Sequence, residues 1–340
     1  MTNEETSALR QIIEESENIV ICTHTNPDGD AIGSSLGLAE YLRVLGKKTL
    51  VAVPNPFPDF LHWLPGSNEI KRYDMNKAEI EKAFKEAQLV FCLDFNDPMR
   101  IEGMAGCLTE CTARKVLIDH HPNPTIDSVV KVSYPLMSST CEIVFRVIWQ
   151  LGGFSLMNKD MATCIYCGMM TDTGSFTFNS NSPEIFFIIS QLLTLGIDKD
   201  EIYRKVYHNY STSRVRLMGY VMSEKLKVYE DYHASYFVIT RKEMLRFNFK
   251  KGDAEGLVNM PLQIKDLKLS ISLREDKDKK NLVWVSLRSV GDFSCTEMAN
   301  KYFNGGGHLN ASGGKLFCSV EEAENIVKLA ILDYQEQLRE

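Results

Sequence analysis

Asn18-Ile-Val-Ile-Cys-Thr23, then His24-Thr-Asn-Pro-Asp28-Gly-Asp30, then the helix-like run Ala31–Leu45: in this order the chain spells a buried strand, a polar bend and a helix. In an open α/β sheet, ligands bind beyond the carboxyl ends of the strands, so the bend is where chemistry is expected. Pro27 and Gly29 turn the backbone there, which allows one imidazole and two carboxylates to face a common space. Asp is also a favoured helix N-cap, and for this segment alone a capping role for Asp28 or Asp30 has equal standing.

Working outward, Thr49–Val53 reads as a second strand, Lys77–Ala87 as a helix, and Leu89–Asp94, Lys115–Asp119 and Val129–Tyr134 as further strands. This βαβ rhythm predicts an α/β fold with a mainly parallel sheet and helices on both faces. Helical patterns dominate from Ser139 to about Lys225, with Asp160–Met170 as a core helix and Ile185–Leu195 and Lys199–Tyr207 beside it. The rhythm then changes. Ser235–Thr240, Leu267–Arg274 and Leu282–Arg288 are strand candidates, with a charged turn at Glu275–Lys280, and Thr296–Phe303 and Val320–Glu340 are expected to be helical. At roughly 100–200 residues per domain, 340 residues make two domains. The expected division is an α/β domain over residues 1–190, a helical linker over 191–212, and a smaller α/β domain over 213–340.

The bend is not the only place where charge follows an apolar run. Asp94 ends Leu89-Val-Phe-Cys-Leu, Asp119-His120-His121 ends Lys115-Val-Leu-Ile, and Asp172 follows Cys164-Ile-Tyr-Cys-Gly-Met-Met. Charges placed directly after buried apolar runs are costly unless paired or bound to a cation. Mixed carboxylate and imidazole donors suit Mn²⁺, Fe²⁺ or Co²⁺, and Mg²⁺ less well. Zn²⁺ usually takes fewer oxygens. Five or more such groups are enough for two ions sharing a carboxylate, the arrangement used for in-line phosphoryl transfer.

The bulk numbers narrow the partners. A formal net charge of -7 argues against long duplex nucleic acid but leaves room for a short phosphorylated ligand held by local cations. Nine scattered cysteines, with no secretory pattern over Met1–Glu17, point to free thiols in a reducing compartment. No apolar stretch approaches the roughly 20 residues of a membrane helix. A soluble, cytoplasmic protein is therefore expected, with no membrane partner.

In combination, His24-x-x-x-Asp28-x-Asp30, Asp94, Asp119-His120-His121 and Asp172 resemble the motifs of the DHH phosphoesterases, and Gly305-Gly306-Gly307-His308 resembles the signature of the DHH-associated domain. The resemblance runs from about residue 18 to 318. The run Asp119-His-His-Pro-Asn123 and the lack of insertions are most similar to the subfamily acting on oligoribonucleotides and 3′-phosphoadenosine 5′-phosphate. The resemblance implies two Mn²⁺ ions, with Mg²⁺ or Co²⁺ as substitutes. His24, Asp28 and Asp94 would hold one ion; Asp30, Asp94, His120 and Asp172 would hold the other. It further implies a catalytic set of Asp94, Asp119 and His121, in which Asp119 orients a motif histidine and His121 meets the phosphate. Arg100, Arg288, Gly305, Gly306, Gly307 and His308 would grip the substrate. Expected substrates are short single-stranded RNA, cut to mononucleotides, and small phosphorylated nucleotides. A cyclic or linear dinucleotide phosphodiesterase, an exopolyphosphatase-like hydrolase and a non-catalytic nucleotide sensor are the alternatives, and a second copy of the chain is a candidate partner.

Two departures concern substrate preference: Phe95 and Asn96 stand where small hydroxyl residues are frequent, and Ser312 where Ala is. Gly305–His308 with Ala311–Gly314 also reads as an ordinary tight turn, since glycine punctuates turns generally. Cys164-x-x-Cys167 has redox or zinc spacing but sits in an apolar helical run without a second pair, which favours packing. Tyr203, Tyr207 and Tyr210 likewise read as packing residues.

Overall fold

Strands covered on both sides need apolar residues at consecutive positions, and the first half of the chain supplies them. The computed structural model describes residues 1–208, 210–250 and 252–339 and divides the chain into two units, Met1–Asn209 and Tyr210–Glu340. The first unit runs α1 (Asn3–Glu15), β1 (Asn18–Cys22), α2 (Gly29–Val44), β2 (Lys48–Val53), β3 (Lys71–Arg72), α3 (Tyr73–Glu86) and β4 (Leu89–Leu93). It continues through α4 (Ala105–Glu110), β5 (Arg114–Asp119), β6 (Val130–Ser133), α5 (Thr140–Gln150), α6 (Lys159–Asp172), α7 (Pro183–Thr194) and α8 (Lys199–Tyr207). Its six strands lie in the order β3-β2-β1-β4-β5-β6, all parallel.

Side chains alternate across each strand, so one sheet feeds two cores. Ile19, Ile21, Phe91 and Ile118 enter one, with α1, α2, α5 and α6. Val20, Cys22, Val90 and Leu117 enter the other, with α3 and α4. Strand order reverses between β1 and β4. Such a reversal opens a crevice at the carboxyl edge, and the residues that leave β1, β4 and β5 there lead to His24, Asp94 and His120.

Close approach of α2 to α6 fixes one wall of that crevice. A Cβ on Gly33 would lie 2.5 Å from the Cys164 carbonyl oxygen, and one on Gly37 would lie 2.8 Å from Ile165. Only glycine leaves room for that backbone contact. The N-terminal helix α1 was not anticipated from the polar sequence. Its capping box of Thr2 and Glu5 starts it, and Leu9, Ile12 and Ile13 bury its apolar face.

The second unit runs α9 (Thr212–Tyr220), β7 (Lys227–Tyr229), β8 (Ala234–Ile239), α10 (Arg241–Arg246), β9 (Leu269–Glu275), β10 (Val283–Ser289) and α11 (Cys295–Tyr302). It ends with β11 (Gly306–His308), β12 (Ala311–Leu316), α12 (Val320–Asp333) and α13 (Gln335–Arg339). The strand order is β11-β12-β10-β9-β8-β7, with β8 and β9 parallel and every other pair antiparallel. Leu269, Ile271, Val285 and Leu287 alternate into one core with α11 and α12. Phe237 and Ile239 face a smaller one with Leu217, Met244 and Leu257.

The division into two units falls inside the expected 191–212 stretch, between Asn209 and Tyr210, and Leu192, Ile202 and Val206 of that stretch are buried in the first unit's core. One expectation needs correction: Gly306–His308 is a strand paired with Ala311–Gly313, forming a hairpin and not a plain turn. A Cβ on Gly305 would meet the Gly313 carbonyl oxygen at 1.8 Å, so the glycine serves backbone contact there. Among the described residues no helix is long and apolar enough to cross a membrane.

Candidate metal centre

Asp28 caps α2, its Oδ1 accepting from the amides of Asp30 (3.0 Å) and Ala31 (3.1 Å). Capping and ligation were rival interpretations, but one carboxylate has room for both: Asp28 also has a donor atom within 4.8 Å of His24 and Asp94. In the first turn of α2, Asp30 is 1 % exposed. Its two oxygens accept from the amides of Thr140 (2.6 Å) and Cys141 (2.8 Å). These amides open α5, where the helix dipole favours an anion.

Asp94 follows β4 with a left-handed backbone, φ 64°. Asp tolerates that region better than most residues. The turn directs its buried side chain into the centre. Oδ2 lies 3.3 Å from His24 Nε2, Oδ1 lies 3.5 Å from His120 Nε2, and Oδ1 accepts from the Thr140 hydroxyl at 2.9 Å.

The three histidines share one arrangement. Nδ1 of His24 faces the Thr25 carbonyl at 2.9 Å, that of His120 faces the Met137 carbonyl at 3.3 Å, and that of His121 faces Asp119 Oδ1 at 2.7 Å. A carbonyl or carboxylate can only accept, so Nδ1 carries the proton in each case. For His24 and His120 this leaves Nε2 towards the carboxylates. His120 Nε2 is 3.6 Å from Asp172 Oδ2 and 4.0 Å from Asp30 Oδ2. Such anchoring of the far nitrogen is how metal-binding histidines are oriented.

Of the residues singled out in sequence, His24, Asp28, Asp30, Asp94, Asp119, His120, His121 and Asp172 come together. Ligand atoms of His24, Asp28 and Asp94 lie within 4.8 Å of one another, as do those of Asp30, His120 and Asp172, and those of Asp94, Asp119 and His121. Arg100 belongs to the same neighbourhood, since its charge opposes protonation of His24 and its carbonyl accepts from the Thr25 amide at 2.8 Å. Arg288 and Gly305–His308 belong to the second unit, where His308 and Arg288 both lie opposite Ala311.

The electrostatics fit a cation. Burial, together with Asp94 and Asp172, pushes the Asp30 carboxyl well above its ordinary range. Burial would also raise Asp94, but the His24 hydrogen bond and the imidazole charges outweigh it and hold that carboxyl below the usual range. Burial would lower His120, yet Asp172, Asp94 and Asp30 lift it to about 9. Asp30 and His120 are thus drawn towards their protonated forms, and a divalent ion would replace those protons. Asp119 Oδ2, fully buried, has no hydrogen-bond partner among the described residues. The donor set is oxygen-rich with imidazole nitrogen, as divalent Mn, Fe or Co prefer.

Sequence reasoning missed the Ser138–Cys141 segment that braces Asp30 and Asp94. Its signal was a run of hydroxyl residues before an apolar helix, with Ser139 as N-cap accepting from the Glu142 amide. The substitutions Phe95 and Asn96 have structural work. Phe95 is fully buried, and the Asn96 side-chain amide donates to the Pro122 carbonyl at 2.6 Å, tying the turn after β4 to the His120–His121 loop. Ser312 is buried and donates to the His308 carbonyl at 3.0 Å within the hairpin. All nine cysteines are free, Cys164 and Cys167 among the buried ones.

Comparison with known proteins gives the same division. The model of the DHH family, N-terminal domain, matches residues 18–169, and that of the DHHA1 domain matches residues 232–334. The bifunctional oligoribonuclease and PAP phosphatase NrnA of Thermus thermophilus is 32% identical over 88% of this chain and 84% of its own. The cyclic-di-AMP phosphodiesterase PdeA of Listeria monocytogenes is 26% identical over 96% of this chain and 49% of its own. The crystal structure of an exopolyphosphatase-related protein from Bacteroides fragilis superposes with a TM-score of 0.96 at 49% identity, covering 100% of this chain and 98% of that one.

Proposed function

Since this chain belongs to the DHH family and is a hydrolase of phosphoester bonds, we propose that it cuts short oligoribonucleotides to mononucleotides and 3′-phosphoadenosine 5′-phosphate to AMP. The observation that carries this reading is the convergence of His24, Asp28 and Asp94 with Asp30, His120 and Asp172 through the shared Asp94. These six residues would hold two Mn²⁺ ions, with Mg²⁺ or Co²⁺ as substitutes. Bound there, such ions supply Lewis acidity towards a phosphoryl oxygen and lower the pKa of water.

The chain's own groups do the rest. Asp94 is held by His24, His120 and Thr140, so its carboxylate is fixed before substrate arrives. Asp119 accepts from His121 Nδ1 and orients the ring, so that in the imidazolium form Nε2–H would donate to a phosphoryl or leaving oxygen. Arg100 in the first unit and Arg288 with Gly305, Gly306, Gly307 and His308 in the second offer phosphate contacts, the arginines through a planar fork suited to paired oxygens.

A second reading has support in the likeness to PdeA: the same centre would open cyclic di-AMP. The deciding assay offers Mn²⁺-loaded protein di- to pentaribonucleotides, 3′-phosphoadenosine 5′-phosphate, cyclic di-AMP, its linear dinucleotide and polyphosphate side by side. Release of mononucleotides and AMP is the expected result. Preference for the cyclic substrate or for polyphosphate would replace the proposal, and stoichiometric binding without product would make the chain a sensor. A homodimer in the cytoplasm is the proposed setting, to be read from light scattering and fractionation.

A further inference from the structure

Residues paired directly across strands share one face of a sheet, and successive rows on that face are two residues apart. In the second unit, His308 pairs with Ala311, and Ala311 pairs with Arg288, so His308 and Arg288 stand in one row. Ser286 stands in the next, beside Gly313 and Gly306, which put no side chain over the strands. The third row holds Lys315, Trp284 and Arg274. Neighbours of opposite parity, Val283, Val285 and Leu287, point into the core instead.

Trp284 in this row is only partly buried, and Lys315 is exposed. Trp284 Nε1 donates to Asp276 Oδ2 at 2.8 Å, which fixes the indole plane and engages that acid. The Lys315 ammonium lies 5.0 Å from the ring centroid. Arg288 and Lys315 thus bring positive charge to these rows in a chain of net charge -7, complementary to a polyanion, while the Arg274 guanidinium packs over the Phe249 ring and faces Asp276. Aromatic platforms flanked by cations are the device by which proteins hold single strands without reading sequence.

We propose that Trp284 and Lys315 form a nucleotide subsite: a base of the bound oligoribonucleotide stacks on the indole while Lys315 swings to the adjoining phosphate. This inference rests on the oligoribonuclease reading, with the strand's end at Arg288 and His308. Trp284 lies four residues from Arg288 along β10, about 13 Å at the rise of a strand. That span accommodates two nucleotides of an unstacked strand. A lone nucleotide such as 3′-phosphoadenosine 5′-phosphate, held at Arg288, falls short of the indole. The subsite therefore sets preference for chain length.

The test compares Trp284→Ala and Trp284→Phe with the unmodified protein on pentaadenylate and on 3′-phosphoadenosine 5′-phosphate. Base stacking on an aromatic side chain is worth about 5- to 150-fold in binding. The expected result is a KM for pentaadenylate raised by about that factor in Trp284→Ala, a smaller rise in Trp284→Phe, an unchanged kcat, and unchanged constants for the mononucleotide. Anisotropy of labelled pentaadenylate in EDTA should show the same loss without turnover. In that assay Lys315→Ala should flatten the slope of log K against log salt by about 0.7, one phosphate contact. Equal losses on both substrates, or none on pentaadenylate, would overturn the subsite. If the unmodified protein cleaves neither substrate, the oligoribonuclease reading falls, and the EDTA titration alone decides the subsite.

Discussion

Asp94 sets the pattern at the scale of residues. A left-handed non-glycine backbone costs of order 1–3 kcal/mol where the side chain does not help, less for Asp. The structure accepts that cost where the carboxylate meets two imidazoles and a hydroxyl. Asp94→Asn keeps the shape and the tolerance for φ 64° but removes the charge the imidazoles compensate. Its circular dichroism should match the unmodified protein, while calorimetric Mn²⁺ affinity and turnover should each fall by at least about 10²-fold, beyond the loss typical of an outer contact. Retained affinity would remove Asp94 from the centre. Each acid was legible in sequence as a charge after an apolar run, but its role was not. Asp28 does cap a helix and also faces His24, and Asp30 is held by amides 110 residues away at Thr140. No local pattern around Asp30 announces that partner, because folding alone brings α5 to it.

At the scale of elements, the spacing between helices is a condition for the site. Asp30 opens α2 and Asp172 closes α6, so the contact at Gly33 helps set their separation. The Cys164 carbonyl cannot swing aside as a side-chain tip would, and Gly33→Ala should cost about 1–3 kcal/mol in urea unfolding by overpacking. Mn²⁺ affinity should fall with it. In α9, a Cβ on Gly219 meets nothing within 4 Å, and Gly219→Ala should stabilise by about 0.4–1 kcal/mol without touching Mn²⁺ affinity. A different device starts α10. Glu243 accepts from the Thr240 amide at 2.8 Å, and its other oxygen meets Lys225 Nζ at 2.6 Å. Burial would raise this carboxyl, but Lys225 and Thr240 hold it below its ordinary 4.5. A lowered folded value means that the unfolded chain takes up the proton first. The contribution to stability is then complete above pH 4.5 and fades as pH falls through the folded value. Glu243→Gln should flatten the dependence of the urea midpoint on pH below about 5; an unchanged profile would show that other carboxylates carry it. Both devices escape a sequence search for function, since a glycine stripe and a capping glutamate look like ordinary helix grammar. Residues 305–308 were misread for a related reason: glycine signals backbone freedom, and only the partner strand shows that the freedom is used for a hairpin.

At the scale of the molecule, the sequence carried the division into two cores because the spacing of apolar runs changes near residue 225. It bracketed the join only as residues 191–212, because α8 is amphipathic, and amphipathicity does not say which core takes the apolar face. Ile202 and Val206 settle it in favour of the first unit. That placement has a thermodynamic consequence. The clustered donors from His24 to Asp172 all belong to Met1–Asn209, so a bound ion stabilises that unit through linkage, by about 2.7 kcal/mol at a hundred times Kd. For a unit of some 200 residues, each kcal/mol moves Tm by roughly 2–4 °C. Scanning calorimetry of the full chain should therefore resolve two transitions. Mn²⁺ should raise one by about 5–10 °C and leave the other in place. Asp94→Asn should abolish the shift, whereas Trp284→Ala, confined to the second unit, should leave it intact. A single transition rising as one body would mean that the two cores unfold together, and a shift that survives Asp94→Asn would place the ion elsewhere.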